Sequence, residues 1–143
     1  MKPMLAEALK DCSKAIQKWP SGLFAEIKYD GERVQLHKDG DQFKFYSRSL
    51  KPVQAHKVAG IEEHVAKAMG SDAKSVVLDC EILLVDYKTK MPLPFGTLGV
   101  HKKAGFASAC VCLFVFDMMH YNGKDLSGLP LSKRRQMMES IIQ

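Results

Sequence analysis

Leu23-Phe24-Ala25-Glu26-Ile27-Lys28-Tyr29-Asp30-Gly31-Glu32-Arg33-Val34-Gln35-Leu36-His37 is the segment on which the architecture turns. Phe24, Ile27 and Tyr29 predict a strand, and Asp30-Gly31 predicts a tight turn or bulge. Val34 and Leu36 then alternate with Arg33, Gln35 and His37, the period-two signature of a strand with one apolar face. Lys38-Asp39-Gly40-Asp41 supplies the next turn, after which Phe43 and Phe45 alternate with Lys44 and Tyr46. Alternation interrupted by short turns is the pattern of an antiparallel meander.

Before this meander, Leu5, Leu9, Cys12, Ile16 and Trp19 recur at steps of four and three, which predicts an amphipathic helix ended by Pro20-Ser21-Gly22. After it, Val58, Ile61, Val65 and Met69 predict a helix over residues 56–69 closed by Gly70. Residues 75–85 read as a β-branched and aliphatic strand, and Tyr87-Lys88-Thr89-Lys90 as an exposed turn. Residues 91–105, rich in Pro and Gly, are expected to be irregular. Residues 109–118 are almost wholly apolar and predict a strand buried on both faces. Tyr121-Asn122-Gly123-Lys124 turns the chain, and Pro130 opens a final helix over 132–142. With no internal repeat or linker, the expectation is one α+β unit of mostly antiparallel sheet with flanking helices.

A chain of 143 residues with 46% hydrophobic content has enough apolar material for a packed core. Its net charge of +5 favours anionic partners such as nucleotides or nucleic acid. Cys12, Cys80, Cys110 and Cys112 contain no C-x-x-C pair and are expected to be reduced core residues, which favours an intracellular compartment. There is no signal-peptide pattern and no apolar run long enough to span a bilayer. The five histidines are too scattered for a metal site, and Met118, Met119, Met137 and Met138 are expected to pack rather than ligate.

Lys28-Tyr29-Asp30-Gly31 has the form K-x-D-G, which by itself describes a lysine before an Asp-Gly turn. Its company is more specific. Arg33 follows, Ser47-Arg48 ends the third predicted strand, Asp79-Cys80-Glu81 lies mid-strand, and Phe116-Asp117 lies in the apolar strand. In this order, and with the opening run Lys2-Pro3-Met4-Leu5-Ala6, the chain resembles the nucleotidyltransferase domain of ATP-dependent DNA ligases along essentially its whole length. Ser47-Arg48-Ser49-Leu50-Lys51-Pro52-Val53 and Leu93-Pro94-Phe95-Gly96-Thr97-Leu98-Gly99-Val100-His101-Lys102-Lys103 resemble most closely the DNA ligase III branch and the related ligases of some large DNA viruses.

The resemblance implies part of an ATP-grasp-like nucleotidyltransferase fold and a three-step reaction. Lys28 attacks the α-phosphate of ATP and expels pyrophosphate, AMP passes to the 5′-phosphate of a nick, and the 3′-hydroxyl displaces it. An amine attacks phosphorus only when deprotonated, and a lysine loses its proton most readily beside cations in a partly desolvated site. By resemblance, Glu26 helps to read the adenine, and Arg33 and Glu81 hold the ribose or metal side of the nucleotide. Arg48 reaches the ribose or the nick phosphate, Phe116 stacks on adenine, and Glu81 is the candidate Mg²⁺ ligand. On composition alone Arg33 and Arg48 would be solvated charges, Glu26 and Glu81 members of surface ion pairs, and Phe116 core, as Phe95 and Phe114 are expected to be.

Cys80 and Met118-Met119-His120 depart from the family pattern, the latter behind Phe116. Ligases of this type use further motifs, including a metal-binding glutamate and phosphate-binding lysines, followed by an OB-fold domain. They also carry a DNA-binding domain ahead of this region. The expectation is therefore that residues 1–143 form the N-terminal and central part of the adenylation domain and are inactive alone. ATP, Mg²⁺ and nicked duplex DNA are the implied ligands, in DNA repair, replication and recombination, with the nucleus or mitochondrion as the site of action. RNA ligases and mRNA capping enzymes share the lysine motif but not the 93–103 segment. A non-catalytic nucleic-acid-binding module would need only phosphate contacts.

Overall fold

The alternation over residues 33–37 folds as read. The computed structural model, which describes residues 1–100 and 108–142, places β1 at Glu32–Asp39 and β2 at Gln42–Ser47 in an antiparallel hairpin. Gly40 opens the two-residue loop at φ +56°, a left-handed conformation that tight hairpins assign to glycine. β3, Ser75–Asp86, pairs with the other edge of β1, and β4, Ala109–Tyr121, pairs antiparallel with β3. Asn122 and Gly123, at φ +44° and +83°, make the turn into β5, Lys124–Asp125, as Asn-Gly does when both central residues must be left-handed. Asn122 also accepts from the Lys74 and Ser75 N–H groups at 2.9 and 3.0 Å, tying this turn to the start of β3. The sheet order is β2-β1-β3-β4-β5.

Residues paired across antiparallel strands share a face, so the register sorts the side chains. Val34 and Leu36 of β1 line up with Cys80 and Leu78 of β3, and Val115 and Met118 of β4 continue the row. This face is the core. It is covered by α2, Ile61–Ala68, through Ile61 and Val65, and it takes in Met138 of α4, Leu131–Ile141. The opposite face carries Arg33 opposite Glu81, Gln35 opposite Asp79, and Phe114 and Asp117 from β4. One face is the apolar core; the other carries the polar and charged side chains, of which Gln35, Asp79 and Asp117 are themselves buried.

Several expectations are corrected. The helix predicted from Leu5 is only α1, Cys12–Lys18, because Asp11 accepts from the Ser13 N–H and caps the helix there. Its apolar stripe is unburied, with Leu5 and Ile16 more than 60% exposed and Cys12 at the surface rather than in the core. The helix over 56–69 is split into a 3-10 turn at Ala55–Lys57 and α2, since Gly60 at φ +79° breaks the helical path between them. No strand forms over residues 23–30, which are held by side chains instead of ladder hydrogen bonds. β4 is half-buried over 110–116 instead of buried on both faces. The cause is its outer edge, which β5 covers only at His120 and Tyr121 among the described residues. Phe95 is 65% exposed, not core. A short helix, α3, Thr97–Val100, interrupts the segment expected to be irregular. His101-Lys102-Lys103 lies outside the described residues. Among those residues no helix is long and apolar enough to cross a membrane.

Candidate active site

The site is built where the chain enters β1. A Cβ at Gly31 would collide with the Ile82 carbonyl oxygen and Leu83 Cδ2, both on β3, and press on Glu81 Cγ. Only glycine allows this approach. The Asp30-Gly31 step read as a turn is thus a contact point that lays the Lys28 segment on the polar face of β3. Tyr29 seals it from the other side, its ring 4.3 Å from that of Phe114 on β4.

Lys28 is exposed beside this junction, and its charge acts on Glu81. Burial pushes the Glu81 carboxyl above the usual carboxylate range, while the Gly31 N–H and the charges of Lys28 and Arg33 act the other way. A half-buried carboxylate facing a lysine and an arginine is the polar pocket that the aliphatic surroundings of Glu81 required. Arg33 is not a solvated charge. Its Nε and Nη2 donate to the two Asp79 oxygens at 2.8 and 2.6 Å, and Nη2 also donates to the Met4 carbonyl at 2.8 Å. The bond to Asp79 outweighs burial and holds the guanidinium pKa above its usual value. Phe116 covers this fork with its ring centroid 5.5 Å from the Arg33 guanidinium carbon.

Glu26 forms an ion pair with Arg135 of α4, which also lies 5.6 Å from the Phe24 ring centroid. Arg48 is exposed in the turn after β2; since Ser47 pairs with Val34, this turn adjoins the Arg33 end of β1. Lys28, Arg33, Glu81 and Phe116 are therefore brought together, Glu26 is reached through α4, and Arg48 stands at the margin. Among the described residues no group of three or more His, Cys, Asp or Glu is placed to hold a metal. With Asp79 bound to Arg33, Glu81 and the exposed Asp30 are the carboxylates at this junction that no side-chain ion pair occupies among the described residues. That fits Mg²⁺, which takes one or two carboxylates and completes its shell with phosphates and water.

Four residues that anchor the site were given no role from the sequence, although Asp79 and Asp117 stand within the quoted motifs. Asp79 was legible in principle, being a carboxylate two residues from Glu81 in a strand and hence on the same face. Asp117 carried a similar signal within an apolar run, and it receives Arg134 Nε and Nη2 at 2.8 Å each. Arg134 and Arg135 carried none, because two arginines on a helix usually mark its solvated side.

The family model described as ATP dependent DNA ligase domain matches residues 3–143. The chain belongs to that family. The DNA ligase of vaccinia virus (strain Western Reserve) is 49% identical over 140 residues, covering 98% of this chain and 25% of the relative. DNA ligase 3 of Dictyostelium discoideum is 50% identical over 142 residues, covering 99% of this chain and 12% of the relative. The chain thus spans a quarter or less of these ligases. Among solved structures, mycobacterial DNA ligase D complexed with ATP and MES superposes with a TM-score of 0.61 over 80% of this chain and 35% of that one, at 24% identity. That likeness shows the fold: a ligase-domain sheet with flanking helices, as the α+β reading expected.

Proposed function

We propose that Lys28 is the AMP-accepting nucleophile of an ATP-dependent DNA ligase that seals nicks in duplex DNA. The observation that carries this reading is the Gly31 contact, which sets Lys28 beside Glu81 and Arg33 in a chain of the ligase family. The Lys28 amine, once it has lost its proton, attacks the α-phosphorus of ATP. A nitrogen–phosphorus bond forms, the α–β bridging bond breaks, and pyrophosphate leaves. AMP then passes to the nick 5′-phosphate, and the 3′-hydroxyl displaces it as the strand closes. Arg33, fixed by Asp79, and Glu81 face the ribose and phosphate side of the nucleotide. Phe116 stacks on adenine, Glu26 reads its edge, and Arg48 meets the ribose or the nick phosphate. Glu81 would hold Mg²⁺, which when bound would neutralise charge at the phosphates.

Residues 1–143 act as the N-terminal and central part of the adenylation domain, with further phosphate and metal ligands supplied from outside them. DNA repair, replication and recombination in the nucleus, or a mitochondrial form, are the settings in which such an activity works. The test is incubation of the full-length protein with labelled ATP or GTP and Mg²⁺. Acid-labile label from ATP, absent in Lys28→Ala, is expected. Label from GTP would point to a capping-type enzyme, and equal label in Lys28→Ala would remove Lys28 from its role. Residues 1–143 alone are expected to give little label and no sealing; robust sealing by them would overturn the assignment of domains.

A further inference from the structure

Arg135 joins three pieces of the site. Its Nη2 pairs with Glu26 and donates to the Phe116 carbonyl at 3.3 Å, and its guanidinium lies over the Phe24 ring. Glu26 and Lys28 are two residues apart, at most about 7 Å of chain. The segment between Phe24 and Lys28 has no ladder hydrogen bonds, so side-chain contacts must fix where it lies. Arg135 is not needed to dock α4 on the sheet. Arg134 does that through Asp117, and Met138 through the core.

We infer that Arg135 is a positioning residue that sets the Glu26 carboxylate against the adenine edge and ties it to the strand bearing Phe116. This rests on the nucleotide reading given above. A carboxylate has room for both duties, since it can accept from a guanidinium and from the 6-amino group of adenine at once. A guanidinium is required on the other side, because a carboxylate, a carbonyl and a ring face must be met together by one planar fork, which an ammonium cannot do. Arg135 therefore governs base discrimination through Glu26.

The experiment compares Lys28 labelling from ATP with that from inosine triphosphate, which carries a carbonyl where ATP carries the 6-amino group. It uses the full-length protein with Arg135→Ala, Arg135→Lys, Glu26→Gln and the Glu26→Gln/Arg135→Ala double variant. Arg135→Ala is expected to narrow the ATP preference by about ten- to a hundredfold, the range in which groups that orient a binding residue act, mainly through KM for ATP. The double variant should be no worse than Glu26→Gln, and Arg135→Lys should fall between wild type and alanine. An unchanged ATP-to-inosine ratio in Arg135→Ala, or in Arg135→Lys where the alanine variant does not fold, overturns the inference while leaving the ligase reading intact. Absence of label in wild type would overturn both.

Discussion

Arg33 and Asp79 form a two-point fork across neighbouring strands, Nε to Oδ1 at 2.8 Å and Nη2 to Oδ2 at 2.6 Å, with the aspartate almost wholly buried. Removing the aspartate leaves a half-buried guanidinium without its counter-ion. Asp79→Ala should cost about 3 kcal/mol, the lower end for breaking a buried pair because Arg33 keeps some contact with water. Urea unfolding measures it, and a loss under about 1 kcal/mol would show that water replaces Asp79. Arg33→Lys should also lose stability, since it keeps the charge but not the fork.

Gly31→Ala tests the contact with β3. The new methyl meets a backbone carbonyl that cannot move without disturbing the β1–β3 ladder. The expected cost is about 1–3 kcal/mol together with loss of Lys28 labelling, as the segment is pushed off the sheet. A stable variant that labels normally would contradict the geometry.

Glu81 makes stability depend on pH in a stated direction. Its folded-state pKa lies above the ordinary value of 4.5, so the native protein holds this proton more tightly than the unfolded chain. The group therefore favours the fold below 4.5, and that contribution is lost as pH rises from there through the raised value. Glu81→Gln removes the titration. Its stability relative to wild type should increase as pH is raised from about 4 to neutrality, and a constant difference would show that Glu81 is not desolvated.

Asp117→Asn should free α4. Arg134 and Asp117 are both buried, and the expected loss is about 3–5 kcal/mol. Hydrogen exchange of Leu131–Ile141 reads the effect, which should be faster there than in β1–β2.

Phe116→Ala should weaken ATP binding more than DNA binding. It should also loosen Arg33, whose guanidinium the ring covers. Unchanged nucleotide affinity in the folded variant would return Phe116 to a packing role.

The strands were legible either from apolar alternation, as in β1, or from an unbroken apolar run, as in β3, which is buried at every position from Val76 to Cys80. Val34 and Leu36 announce their own face, while the run around Leu78 and Ile82 announces a strand covered on both. Elements whose apolar side chains stay exposed were not legible. Leu5, Leu9 and Ile16 have helical spacing, and Phe24 and Ile27 strand-like composition, yet all stand exposed, because periodicity records what a segment could bury and not what it meets. At the site, the Lys28-Tyr29-Asp30-Gly31 motif and its neighbours along the chain could be read directly. Its spatial partners depended on register, and a pairing such as Arg33 opposite Glu81 cannot be read from one strand alone.

Gly31 also sets a clock. It seats the Lys28 segment on a strand that leaves the ribosome later, since Glu81 follows Lys28 by roughly fifty residues, or about 3–10 s of synthesis. During that interval the segment around Lys28 has neither Glu81 nor the β3 surface to rest on. The seat of this segment is therefore completed only once β3 has docked on β1, so its geometry belongs to the folded sheet and not to the motif alone.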